Sequence, residues 1–277
     1  MPSSSDSLTV GFIMYPGLTQ LDLFGPADVL NRMPGTEIKL LWKNLDPVIV
    51  DRGMRIIPNM TYGQCQKLDI ICVPGGPGQI ALMDDDETLN FLRRIAPGCK
   101  LVTSVCTGSL VLGAAGLLKG YRATSHWSSV DQLSLFGATP VEERVVMDRN
   151  RITGAGVTSG IDFALRVVEN LMDKTTAQQI QLQMEYDPEP PYRCGTPKTA
   201  PPEILDSVRA RLHMFQSSRR SASERAAERL NSKNPHKKPA TWAGFITSVK
   251  YQPQPTTSVS ENQKPISRAA VSGASEP

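Results

Sequence analysis

The chain has 277 residues, of which 40% are hydrophobic and 21% charged, with a formal net charge of +3. That balance supports a real core and is ordinary for a soluble protein. No apolar run approaches the roughly 18 residues needed to cross a bilayer, and Met1-Pro2-Ser3-Ser4-Ser5-Asp6 lacks the basic patch and apolar stretch of a secretory signal, so a cytoplasmic protein with no membrane partner is expected.

Residues 1–6 read as a flexible N-terminus. Leu8–Tyr15 (LTVGFIMY) is a short apolar run closed by Pro16-Gly17, the pattern of a buried strand. A helical pattern follows Gly25, with Pro26 near its first turn, where a missing N–H costs nothing. Glu37–Lys43 predicts a second strand and Asp69–Val73 a third, ended by Pro74-Gly75-Gly76-Pro77-Gly78. Asp84–Arg94 is a helix with an acidic start and a basic end, which suits the helix dipole. Leu101–Val105 is the next strand, followed by short ones at Arg122–Thr124, Arg144–Asp148 and Arg151–Thr153. Ile161–Met172 repeats apolar residues at helical spacing. Strands alternating with helices predict an α/β fold, a mostly parallel sheet flanked by helices on both faces. Such folds bind ligands at the carboxyl ends of the strands, the side to which Asp22, Gly75-Gly76 and Cys106 are assigned.

Pro188–Pro202 is proline-rich and extended. Residues 203–230 return to a charged helical pattern, a C-terminal helical extension of a catalytic domain at 7–202. Residues 231–277 are rich in Pro, Ser, Lys and Thr and read as a disordered basic tail, with one apolar island at Trp242–Val249. From Glu203 onward there are 12 Lys+Arg and 6 Asp+Glu, so this C-terminal part carries +6; the preceding 18 and 21 leave the body at −3. A weakly basic tail of this kind is ordinarily solvated.

The five cysteines (Cys65, Cys72, Cys99, Cys106, Cys194) are odd in number and contain no C-x-x-C pair, which argues against a disulfide framework and a paired-cysteine zinc site. His126, His213 and His236 are too far apart for a helical metal motif, so no metal is expected. One cysteine stands out. Leu101-Val102-Thr103-Ser104-Val105-Cys106-Thr107-Gly108-Ser109 runs from a β-prone segment through Cys106 into a helical pattern, the form of a nucleophile elbow. The turn would expose the sulfur at the sheet edge, the helix start would favour thiolate, and Gly108 would allow the tight bend. A buried structural cysteine at a strand end is the alternative.

Five blocks in order resemble the DJ-1/PfpI superfamily, relatives of class I glutamine amidotransferase domains, across Thr9–Pro197. They are Gln20-Leu21-Asp22-Leu23-Phe24-Gly25-Pro26, Val73-Pro74-Gly75-Gly76-Pro77-Gly78, Ser104-Val105-Cys106-Thr107-Gly108-Ser109, Ala123-Thr124-Ser125-His126-Trp127 and Gly160-Ile161-Asp162-Phe163-Ala164-Leu165. The resemblance implies a flavodoxin-like fold and a homodimer. It is nearest to the branch that hydrates isonitriles without a cofactor, through Asp22 in the first block, the Cys-Thr-Gly-Ser elbow and the Gly-Ile-Asp-Phe-Ala-Leu helix start. The same blocks occur in sensor domains of AraC-like regulators, but those carry a helix-turn-helix domain, whereas one helix and a low-complexity tail follow here; nucleic-acid binding is not expected. Thr107 stands where protease-like members place a histidine, and Asp22 where DJ-1-like members hold a glutamate. Phe24 replaces a threonine of the hydratase branch, so the pocket is expected to differ.

What the resemblance implies for the site is then specific. Cys106 is the nucleophile, Asp22 the acid–base partner and Thr107 a helper through its N–H or hydroxyl. Gly75 and Gly76 offer backbone amides to a developing charge. His126, Trp127, Gly108 and Phe24 support the reacting groups from behind or line the pocket. Read without the resemblance, Asp22 is a loop carboxylate or a helix cap and His126 and Trp127 are structural. A glyoxalase-like or amide-cleaving enzyme and a cysteine redox sensor remain competing functions at this point.

Overall fold

The computed structural model describes residues 7–232; residues 1–6 and nearly all of the expected tail at 231–277, including Trp242–Val249, lie outside them. In chain order the strands are β1 Leu8–Ile13, β2 Thr36–Trp42, β3 Val48–Ile49, β4 Arg55–Ile56, β5 Met60–Thr61, β6 Ile70–Val73, β7 Leu101–Val105, β8 Arg122–Ala123, β9 Thr139–Pro140, β10 Val145–Asp148 and β11 Arg151–Gly154. The α-helices are α1 Gln20–Leu30, α2 Gln79–Leu82, α3 Asp86–Ile95, α4 Gly108–Ala114, α5 Ser159–Leu171, α6 Lys174–Gln183 and α7 Pro202–Asn231.

A seven-stranded sheet runs in the order β10-β11-β7-β6-β1-β2-β5. Its pairs are parallel except β10–β11, which closes one edge as an antiparallel pair. Every residue of β6 and β7 is buried, as expected for central parallel strands covered on both faces. Helices α1, α5 and α6 pack together as one group, and α2, α3, α4 and α7 as another. Right-handed crossovers that leave β1 and β7 in opposite directions put these groups on opposite faces. From β1 the chain crosses to β2 on one side, and β6 lies on the other. That reversal opens a crevice at the carboxyl ends of β1, β6 and β7.

Local chemistry accounts for the elements. Helix α3 begins at the N-cap Asp85, whose carboxylate accepts from Thr88 N–H at 2.9 Å, and ends on Arg93 and Arg94. One expectation needs correction. The first helix starts at Gln20 rather than after Gly25, so Pro26 lies inside it and Asp22 in its first turn. Only the bond from residue 26 back to residue 22 is lost, and burial of Leu23, Val29 and Leu30 outweighs it. The β3–β4 hairpin, β5 and α6 carry weak patterns and were not foreseen from the sequence. Helix α7 buries Arg219, Ala222, Ser223, Ala226 and Ala227 against the body. No helix among the described residues is long and apolar enough to cross a membrane.

Candidate active site

At the end of β7 the chain turns through Cys106, which carries φ of 56°, a left-handed conformation rarely adopted by a residue with a side chain. The strain therefore sits on the cysteine itself, not on Gly108 as the motif suggested. Its neighbours hold it there. Cys106 N–H donates to the carbonyls of Gly154 and Ala155 at 3.0 and 2.8 Å. Its own carbonyl accepts from Ser109 and Ser125 hydroxyls at 3.2 and 3.1 Å. A backbone fixed by four bonds can retain such a conformation. Gly108 serves close packing instead. A Cβ there would lie 1.9 Å from the Val73 carbonyl oxygen, so only glycine lets α4 start against β6.

Three predicted residues converge on this turn. Asp22 is fully buried, and its Oδ2 accepts from Gly75 N–H at 3.0 Å. Thr107 Oγ1 accepts from Gly76 N–H at 3.2 Å. Both glycine amides are thus engaged with side chains, holding acid and hydroxyl in place rather than facing a developing charge. Gly75 sits among all three: a Cβ there would be 2.6 Å from Thr107 N, 2.8 Å from Asp22 Oδ2 and 2.8 Å from Cys106 Cβ. The missing side chain leaves room between acid and sulfur. Tyr15, just beyond β1, donates its hydroxyl to the Pro74 carbonyl at 2.7 Å and so anchors the Pro74-Gly75-Gly76 turn.

Burial sets the protonation of the pair. It raises Asp22 from 3.8 to about 7, against the opposing effects of the Cys106 thiol and the Gly75 bond. Oδ1 of Asp22 is buried without a hydrogen-bond partner, the less comfortable state for a carboxylate. Burial, followed by the Asp22 charge, also lifts the Cys106 thiol well above its ordinary range; Thr107 N–H and Arg219 oppose the rise. The thiolate expected from a helix start is therefore not the resting form. Helix α4 has only seven residues, and its short dipole does not overcome desolvation. Burial, then the charges of Asp22 and Cys106, hold Tyr15 neutral.

His126 does not hydrogen-bond Cys106. Its Nδ1 pairs with the Ser128 hydroxyl at 2.8 Å and accepts from Ser128 N–H at 3.3 Å, so the ring proton belongs on Nε2. Burial and the Arg219 charge lower its pKa to about 4, keeping it neutral at neutral pH. His126 and Trp127, with ring centroids 5.5 Å apart, line a cleft of about 470 Å³ whose wall includes Ser125 and Ala155, the residues bonded to the Cys106 backbone. Glu142, Arg144, Lys198 and Arg209 form its polar rim. Phe24 is 43% exposed on the face of α1 opposite Asp22 and is absent from that cleft.

The sequence reading missed Tyr15, Gln79, Ser129 and Arg219. Arg219 is 4% exposed, with Nε donating to Gln79 Oε1 at 2.9 Å and Nη1 to Ser129 Oγ at 3.1 Å. The available signal was faint: one arginine among many in a charged helix, on the same face as the alanines that form its buried stripe. Cys65, Cys72 and Cys99 are buried and Cys194 is exposed, all of them outside the cluster around Cys106.

The model of the DJ-1/PfpI family matches residues 9–170. The isonitrile hydratase of Pseudomonas putida is 50% identical over 225 residues, covering 81% of this chain and 99% of that protein. Protein dj-1beta of Drosophila melanogaster is 29% identical over 172 residues, covering 61% of this chain and 91% of that one. The crystal structure of a THiJ/PfpI family protein from Pseudomonas syringae superposes with a TM-score of 0.77 at 44% identity, covering 80% of this chain and 97% of that chain. With an elbow cysteine at the end of a central parallel strand and these matches along most of its length, the chain belongs to the DJ-1/PfpI family.

Proposed function

We propose that this protein adds water to an isonitrile to give an N-substituted formamide, with Cys106 as nucleophile and Asp22 as its acid–base partner. The observation that carries the reading is the buried Asp22–Gly75–Cys106–Thr107 cluster in a chain 50% identical to an isonitrile hydratase across nearly all of that enzyme.

The terminal carbon of R–N≡C must gain both a nucleophile and a proton. One proton shared by Asp22 and Cys106 meets both needs. In the reactive arrangement the carboxyl holds the proton and sulfur is the thiolate. Sulfur bonds to the carbon as Asp22 delivers its proton there, giving the thioformimidate R–N=CH–S–Cys106. Asp22, now a carboxylate, takes a proton from water as the hydroxide adds to the same carbon, and passes that proton on to the nitrogen. The C–S bond of the R–NH–CH(OH)–S adduct then breaks, releasing R–NH–CHO, and a proton returns to the pair. Thr107 N–H faces the sulfur and stabilises its charge, while the Thr107 hydroxyl, held by Gly76, is the group available to the attacking water. The apolar part of R takes the cleft beside His126, Trp127 and Val157.

The competing readings find less support. A general base at His126 would need an imidazole that protonates near neutrality, whereas this one sits at about 4 with Nδ1 engaged by Ser128. A redox sensor calls for an accessible low-pKa thiolate, and Cys106 is 6% exposed with its thiol pushed up. The protein acts without a cofactor, in the cytoplasm, as a homodimer. The dimer is supported by the family resemblance and by the exposed apolar side chains of Leu21 and Phe24 on α1 and of Ile49 and Met54. Gln20 Nε2 donates to the Asp51 carbonyl at 2.5 Å and to Met54 Sδ at 3.4 Å, which brings Met54 beside the start of α1.

Incubation with cyclohexyl isocyanide and aryl isonitriles, read by mass spectrometry, tests the reading. Formamide should form with the native chain and with His126→Ala, and be lost in Cys106→Ala and Asp22→Asn. Formamide production by Cys106→Ala at the native rate would overturn it.

A further inference from the structure

Helix α7 lies beyond the part of the chain that the family model matches, yet it sends one side chain into the site's surroundings. Other arginines of α7 meet carboxylates: Arg220 pairs with Asp131 at 2.9 Å, Arg225 with Asp84 at 2.8 Å and Arg229 with Asp84 at 2.6 Å. Arg219 is the most deeply buried of them, and among the described residues no carboxylate lies within ion-pair distance of it. Its fork is held by Gln79 and Ser129, and its plane lies 4.5 Å over the Phe215 ring. Gln79 opens α2, directly after the Gly75–Gly78 turn that holds Asp22 and Thr107.

A buried guanidinium without an acid is costly, and that cost is offset where an anion forms nearby. The groups whose charge it faces are Cys106, Tyr15 and His126. Tyr15, His126 and the resting Cys106 thiol are all neutral at neutral pH, so the anion that would offset the guanidinium is the thiolate formed when the shared proton passes to Asp22.

The position is also fixed from the far side. Ser129 Oγ donates to Gln216 Oε1 at 3.0 Å, Gln216 Nε2 donates to Ser128 Oγ at 2.6 Å, and Ser128 meets His126 Nδ1. Each hydroxyl in this chain donates one bond and accepts one, so the donors run in a single direction from Arg219 to the imidazole. The guanidinium is thereby pinned from both ends.

We propose that Arg219 is a positioning residue that biases the proton shared by Asp22 and Cys106 toward the carboxyl, leaving sulfur as the attacking thiolate. The C-terminal helix is on this account a working part of the site. The inference rests on Cys106 being the nucleophile, as in the proposed hydratase, but not on the identity of the isonitrile.

The test is the pH dependence of Cys106 alkylation by iodoacetamide, followed by peptide mass spectrometry in the native chain, Arg219→Lys and Arg219→Gln, with formamide production measured alongside. Arg219→Gln should raise the apparent pKa for alkylation by about one unit, slowing it roughly tenfold near neutral pH. Arg219→Lys, which keeps the charge, should stay near the native profile. Identical profiles in the native chain and Arg219→Gln would overturn the proposal, as would equal shifts in both variants, which mean that packing matters and charge does not. Should Arg219→Gln fail to fold, Gln79→Leu and Ser129→Ala loosen the same guanidinium and should shift the profile upward; native profiles in both would also overturn it. A shifted profile in a protein that makes no formamide would sink the hydratase reading alone.

Discussion

Asp22 shows how one buried side chain ties stability to chemistry. A carboxyl whose folded pKa exceeds its unfolded value binds its proton more tightly in the native state. Its contribution to stability is therefore fully present below 3.8 and is lost as pH rises toward about 7. Asp22→Asn cannot ionise and escapes that loss. Denaturant unfolding should show the variant gaining on the native chain from pH 4 to 7, by up to ~4 kcal/mol if the whole shift is expressed. His126 runs the other way, destabilising the fold as pH falls from 6.5 through about 4. It is common to both chains and cancels in the comparison. A difference that does not change with pH would show that Asp22 is not held protonated. A pH-dependent gain together with lost activity in the same variant would mean that the site trades alkaline stability for a carboxyl able to give up a proton near neutrality.

The elements have distinct duties. Strand β7 and the turn after it present the sulfur, α1 brings the acid, and the turn after β6 holds Asp22 and Thr107 in place. Helix α7 covers the second group of helices and is clamped near its end by Asp84, which accepts from Arg225 at 2.8 Å and is 8% exposed. Arg229 reinforces the clamp by donating to the Met83 carbonyl at 2.8 Å. Asp84→Ala leaves two partly exposed cations without their acid, a loss of roughly 1–2 kcal/mol. Urea titration should show a lower midpoint, and hydrogen exchange should be fastest in the second half of α7. Unchanged exchange there would mean that the buried alanine stripe, not the ion pairs, holds the helix.

For the whole molecule, the half-exposed side chains of Leu21, Phe24, Ile49 and Met54 are apolar area that a second chain would cover. Sedimentation should find two chains per particle. Phe24→Asp should shift that equilibrium toward one chain while leaving the buried Asp22 face of α1 intact. A native protein that sediments as a single chain at micromolar concentration would remove the homodimer from the proposal.

The residues themselves determined much of this. Short, largely apolar strands alternating with helices specified a parallel sheet, because a strand covered on both faces is buried throughout, as β6 and β7 are. Cys106 and Gly75 could be singled out because each lies in a local motif whose turn chemistry is written in adjacent residues, whereas Asp22 was singled out by the family resemblance. Local sequence does not encode burial, and there the tertiary structure decided. A helix start argues for a thiolate, but desolvation by surrounding elements outweighs a short dipole and keeps the thiol protonated. The glycine amides look free in a motif, yet they are engaged by Asp22 and Thr107 once α1 and β7 meet the turn. Arg219 lies 113 residues after Cys106 in a helix whose pattern reads as surface, and only the packing of α7 brings its charge to the sulfur's side of the fold. Pairings over such separations depend on which faces the helices bury, and that is a property of the folded chain.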